Sequence, residues 1–189
     1  MKMLIAALAI FLGLPVAAEP PPPKFKPPPP WVNAPPASIE VPEGAYKTAP
    51  ARTALAAILK RGVGVALAQT ARGDAFAPLA VVVDNSGKDQ LVLSEAHVQT
   101  AGVEVDLMAQ RDSLLNNAKK LKPTAVAVFA DATVRLSATS GKVEAIVVNY
   151  QHNDGTCLTV VVPYDRTGDA VKPRAALATG GDCSESLLK

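Results

Sequence analysis

The chain is poor in the residue types that build catalytic and cofactor sites. Its 189 residues include two cysteines, two histidines, one tryptophan, three tyrosines and four phenylalanines. The histidines, His97 and His152, have no tight spacing with other ligand types, so a metal site has no sequence signature. No G-x-x-x-x-G-K-[ST] segment is present, and Gly62 and Gly64 lack the remainder of a phosphate-binding loop. Ser94 does not lie in a G-x-S-x-G elbow, which removes support for a serine hydrolase. Strong charge of either sign is also absent. With 19 basic and 17 acidic residues the net charge is +2, too small to argue for nucleic acid or an anionic membrane surface. With aromatics scarce, the core must come from Val, Ala, Leu and Ile. After Val16 no second long apolar run occurs, so no membrane span is expected in the mature chain.

The N-terminus reads as an export signal over residues 1–18. Lys2 is the lone positive charge, Met3 to Val16 are apolar or small, and Val16-Ala17-Ala18 sets a cut before Glu19. The apolar run is about fourteen residues, against roughly twenty for a membrane-spanning helix. No cysteine lies near the cut to carry a lipid. Cleavage removes one basic residue and no acidic one, leaving a net charge of +1 (18 minus 17). The expected location is periplasmic or secreted, with retention of the signal as an anchor as the alternative.

Residues 19–44 read as a proline-rich arm. Ten of its first eighteen residues are Pro, in two PPPP blocks around Lys24-Phe25-Lys26. Proline fixes φ and removes a donor, so helix and sheet cannot persist there. Polyproline II would make the segment a semi-rigid spacer of roughly 50 Å. Phe25 and Trp31 are the residues through which such an arm would dock on a partner. Trp31 is either that docking residue or a cap folded onto the domain.

Residues 45–164 read as one α+β domain. A helix is expected from about Pro50 to Gln69, with Gly62 and Gly64 weakening or splitting its middle. Phe76 to Val83, the turn Asp84-Asn85-Ser86-Gly87-Lys88 and Asp89 to Leu93 form a hairpin. A second helix carries Leu107, Met108, Leu114, Leu115, Ala118 and Leu121 at helical spacing, ends in Lys119, Lys120 and Lys122, and is stopped by Pro123. Three strands follow, from Ala125 to Leu136, Val143 to His152 and Cys157 to Pro163. Asn153-Asp154-Gly155 joins the last two, with Asp154 and Gly155 expected as a two-residue loop. The order α-β-β-α-β-β-β predicts a single five-stranded, mainly antiparallel sheet with two helices. Residues 165–189 read as a Gly-rich tail.

Two stretches, FAPLAVVVDNSGK and KVEAIVVNYQHNDGTCLTVVVPY, resemble patterns in small exported bacterial proteins. The layout is similar to profilin-like and roadblock-like domains over about 115 residues, from about Pro50 to Tyr164. That resemblance implies a central antiparallel sheet flanked by helices and carries no catalytic residue over. Roadblock-like domains are intracellular dimerisation modules, a setting the export signal contradicts.

An even cysteine count in an exported chain predicts a disulfide between Cys157 and Cys183, pinning the tail to the last strand, with a pair of free thiols or a bond to another chain as the alternative. A two-residue loop at Asp154-Gly155 would set His152 opposite Cys157 on one sheet face, where a Cys–His pair could activate a thiolate. A disulfide would preclude that role. Glu95 and His97, with Asp84 or His152, are the remaining metal-ligand arrangement, and no metal or cofactor is assigned. Asp131, Thr133 and Arg135 share one face of their strand as a possible recognition strip. No catalytic residue is assigned. The expected function is a non-enzymatic interaction protein with a protein partner in the cell envelope. The alternative is a small hydrolase or thiol enzyme using Cys157 and His152.

Overall fold

The first helix begins where the sequence supplies both a cap and a proline. Thr48 is extended (φ −142°, ψ 158°), its hydroxyl accepts the Ala51 N–H at 3.3 Å, and Pro50 sits in the first turn. In the computed structural model, which describes residues 30–44, 46–72, 78–93, 107–181 and 188, α1 then runs unbroken over Ala49–Thr70. The split expected at Gly62 and Gly64 does not occur, because these glycines serve packing. A Cβ on Gly62 would lie 2.1 Å from the Phe129 ring, and one on Gly64 would lie 2.4 Å from the Pro35 carbonyl oxygen. The two positions lie on different sides of α1, since two steps along a helix turn through about 200°. One lets the sheet approach and the other admits the N-terminal segment. A helix covered on two sides must be apolar nearly all round, and Leu55, Ile58, Leu59, Val63 and Val65 are fully buried.

That N-terminal cover is the described part of the proline-rich arm. A short 3-10 turn, Pro30–Asn33, leads into an extended run along α1. The Ala37 N–H donates to the Lys60 carbonyl at 2.8 Å, and the Arg61 guanidinium donates to the Val32 carbonyl at 2.8 Å. Trp31, Ala37, Ile39 and Val41 pack against the main core. Residues 30–44 therefore belong to the domain instead of extending from it. Residues 1–29, which hold the expected signal and Phe25, lie outside the described residues.

The sheet is larger than its expected five strands. β1 (Leu79–Val83), β2 (Asp89–Leu93), β3 (Ala125–Arg135), β4 (Lys142–His152) and β5 (Cys157–Thr167) are joined by β6 (Ala170–Pro173) and β7 (Leu177–Gly180). The order is β2-β1-β3-β4-β5-β6, with β7 also on β5, and every pairing is antiparallel. The correction lies in the tail. Its residues return along the outer edge of β5 in two pieces. Tyr164 faces Pro173 and Val161 faces Leu177, so three steps on β5 match four on the tail. The extra residue on the tail is a bulge between the two pairings, and the sheet as a whole is curled into a half-barrel. Four-residue strands containing Gly and Pro lack a readable alternation, so only pairing with β5 makes them strands.

The second helix, α2 (Leu107–Lys120), lies on the other face over β1–β3. Its side chains are described from Leu114 onward, so the expected roles of Leu107 and Met108 fall outside the description. The main core unites α1 with Val81, Phe129, Ile146, Val148, Tyr150, Leu158 and Val160. A smaller core joins α2, through Leu114 and Ala118, to Ala80, Val82, Val126 and Val128. Among the described residues no helix is long and apolar enough to cross a membrane.

Candidate functional site

The β4–β5 hairpin positions the site, and its turn has three residues rather than two. Gln151 pairs with Cys157, and the His152 N–H donates to the Thr156 carbonyl at 2.9 Å. Asn153, Asp154 and Gly155 form the loop, with Gly155 at φ +83°, a left-handed position that favours glycine. The expected register is therefore off by one residue. Because side chains alternate along a strand, the slip sends His152 and Cys157 to opposite sheet faces. His152 faces the side of Tyr150 and α1, and Cys157 faces away. The structure does not bring together the Cys–His pair on which the thiol-enzyme reading depended.

Asp154 is the centre of a latch between this turn and α1. Its carboxylate accepts the Thr48 hydroxyl at 2.6 Å and the Thr156 N–H at 2.7 Å. The Lys47 N–H donates to the Thr156 hydroxyl at 3.0 Å. An anion beside the first turn of a helix also suits the helix dipole. Burial, the largest single influence, opposes ionisation of Asp154. The Thr48 hydroxyl, the Thr156 N–H and hydroxyl, and His152 together outweigh it and hold the carboxyl well below its ordinary range.

The same carboxylate orients His152. Its Oδ1 lies 3.1 Å from Nδ1 of a side chain that is 8% exposed. The Asp154 main-chain N–H also approaches Nδ1, at 3.3 Å. One ring nitrogen cannot donate to the first and accept from the second. We assign the proton to Nδ1, because a bare lone pair facing the carboxylate at the shorter distance would be repelled. Nε2 is then a free acceptor. It has no hydrogen-bond partner, yet it is not among the buried unpartnered atoms of the described residues, where only Gln69 Nε2 qualifies. It therefore opens to solvent.

It opens on a cleft of about 620 Å³ whose lining includes Ala49, Thr53, Ala54, Asp84, His152 and Asn153. The wall opposite α1 is the β1–β2 turn. There Asp84 Oδ1 accepts the Ser86 N–H at 2.8 Å, the Ser86 hydroxyl at 2.6 Å and the Lys88 N–H at 3.0 Å. The Ser86 hydroxyl first, then the Lys88 N–H, lowers the Asp84 pKa. A second cleft of about 570 Å³, with Pro36, Ala56, Lys60, Arg61, Asp89 and Leu91 in its lining, continues along the same helix. Thr53 and Ala57 line both, so the two form one groove beside α1. The Thr53 and Thr124 hydroxyls already donate to the carbonyls of Ala49 (3.2 Å) and Val83 (3.0 Å). Neither is poised as a nucleophile.

The other expected site residues lie elsewhere. Trp31 packs against the protein's own core, the cap alternative, and is half-buried. Asp131, Thr133 and Arg135 are exposed on β3, on the face that carries Phe129. There Asp131 accepts the Tyr164 hydroxyl at 3.0 Å. Burial, reinforced by Asp131, pushes the Tyr164 pKa up to about 12. Arg135 lies directly opposite Lys142. Asp84 and His152 share the cleft, whereas Ser94, Glu95 and His97 lie outside the described residues. No group of three or more metal-ligating side chains occurs among the described residues. Cys183 lies outside them as well. Gly181, two positions before it, donates its N–H to the Cys157 carbonyl at 3.0 Å.

Compared with protein-family models, curated proteins and solved structures, the chain matches none. The groove and the Asp154 latch were missed in the sequence. The one available signal was Thr48, expected to start a helix, whose partner lies 106 positions away.

Proposed function

We propose that the chain is an exported, non-enzymatic binding protein whose site is the groove along α1. The observation that carries this reading is the state of the groove's polar groups. Its threonine hydroxyls are committed to main-chain carbonyls, and Asp84 Oδ1 is committed to its own turn. His152 Nε2 is an acceptor left exposed in the cleft and fixed in orientation by Asp154. Such a surface offers shape and hydrogen bonds, and no uncommitted hydroxyl or thiol lies beside His152 among its described lining residues.

Export to the periplasm or beyond, removal of residues 1–18 and a Cys157–Cys183 disulfide belong to the same proposal. The pairing of β7 with β5 supports the disulfide, because it carries the tail to Cys157. N-terminal sequencing of the cell-envelope and medium fractions tests the cleavage, with Glu19 expected as the first residue.

A photo-crosslinking side chain at Thr53, expressed in cells in the full chain, tests the groove. Adducts from Thr53 but not from Thr139, at the β3–β4 turn, are expected. Equal adducts from both, or none from Thr53, would overturn the groove reading. A probe at Thr133 tests the second surface, the Asp131–Arg135 strip. Its supporting observation is the Arg135–Lys142 pair, two like charges facing each other with no ion pair to either among the described residues. Adducts at Thr133 alone would move the partner there.

A further inference from the structure

The groove has ends of opposite character. At one end His152 Nε2 is an unpartnered acceptor on a side chain more than nine-tenths buried, and Asp84 lines the same cleft with Oδ2 making no hydrogen bond. At the other end Lys60 Nζ makes no hydrogen bond, and Arg61 stands beside it with one guanidinium nitrogen on the Val32 carbonyl. Asp89 lines that end too and offsets one of the two cations. Between the ends the helix contributes small side chains, Ala54, Ala56, Ala57 and Thr53, so the floor is shallow.

From Ala49 to Lys60 the helix rises about 16 Å, at about 1.5 Å per residue. An extended tetrapeptide spans about 14 Å, at up to about 3.5 Å per residue. A zwitterionic peptide of that length has a donor and positive charge at one end and an acceptor and negative charge at the other. Its small side chains suit a floor with no deep pocket.

We infer that the groove binds short free peptides of about four residues with small side chains. The peptide ammonium donates to His152 Nε2 and faces Asp84, and the peptide carboxylate meets Lys60 and Arg61. The inference rests on the groove being the binding site and adds what it recognises, namely both termini of a free peptide instead of an internal stretch of a protein.

Titration of the full chain with tetra-alanine, followed by amide NMR, tests it. Saturable shifts are expected at Thr53, Ala54 and Ala57. Blocking the carboxylate as an amide or the amine as an acetyl should weaken binding at least tenfold, and so should Lys60→Gln. His152→Asn should do the same. Its amide replaces Nδ1 toward Asp154 while deleting Nε2, so the latch and the melting temperature should survive. If that variant fails to fold, Lys60→Gln still decides, because the Lys60 side chain makes no internal hydrogen bond or ion pair. No shifts at millimolar tetra-alanine, or equal binding of the doubly blocked peptide, would overturn the inference. If tetra-alanine fails while Thr53 still crosslinks in cells, the groove reading stands and only the peptide-end reading falls.

Discussion

Replacing Asp154 by alanine should destabilise the protein more than any other single change on its surface turns. The carboxylate accepts the Thr48 hydroxyl at 2.6 Å and the Thr156 N–H at 2.7 Å, and it contacts His152 Nδ1 at 3.1 Å. Hydrogen bonds to a charged group contribute about 1.5–3 kcal/mol each, but three on one carboxylate are not additive. The Asp154 side chain is also 16% exposed, so water replaces part of what is lost. Together these set the expected loss at about 3 kcal/mol. For a chain of this size that lowers the melting temperature by roughly 6–12 °C.

The pH dependence supplies a second readout. The folded carboxyl titrates below its unfolded value of about 3.9. Its contribution is therefore fully present above that value and is lost as pH falls through the lower, folded value. Urea titrations of wild type and Asp154→Ala between pH 3 and 7 should differ by a constant amount above about pH 5. The gap should narrow below about pH 4. A difference under about 1 kcal/mol at pH 7, or one that does not narrow with acid, would refute the latch.

Three other outcomes follow from the packing. Gly62→Ala should cost at least the 1–3 kcal/mol, roughly, of an overpacked core, because the added methyl meets the Phe129 ring at 2.1 Å; thermal unfolding measures it. Gly64→Ala should dislodge residues 30–41 from α1, since the obstacle there is the Pro35 main chain at 2.4 Å. Trp31 is the only tryptophan, so its emission should move to longer wavelength while the sheet signal in far-UV circular dichroism persists. Cys183→Ser should lower stability by about 3 kcal/mol in non-reducing urea titrations, the chain-entropy value for a loop of roughly this length. No effect there would end the disulfide proposal.

Much of the framework is legible along the chain because its causes are local. Thr48 and Pro50 start α1, Gly87 serves a turn, Pro123 follows α2, and the alternation from Ala125 to Arg135 shows one face turning polar after Phe129. These signals act within a few residues and survive without any partner. The features that failed depend on distant partners. Gly62 and Gly64 look like helix weaknesses until Phe129 and Pro35 fill the space they leave. The tail looks irregular until β5 presents an edge, where it pairs as two strands offset by a single extra residue.

The site divides along the same line. The sequence by itself marked His152 and the Asn153-Asp154-Gly155 turn as chemically notable and placed that turn between two strands. Only the tertiary structure decided what His152 does. One residue of register separates it from Cys157, since strand side chains alternate, and closure of the hairpin onto α1 places Asp154 between His152 and Thr48. Register and closure are properties of paired strands and packed surfaces, which no stretch of chain carries alone.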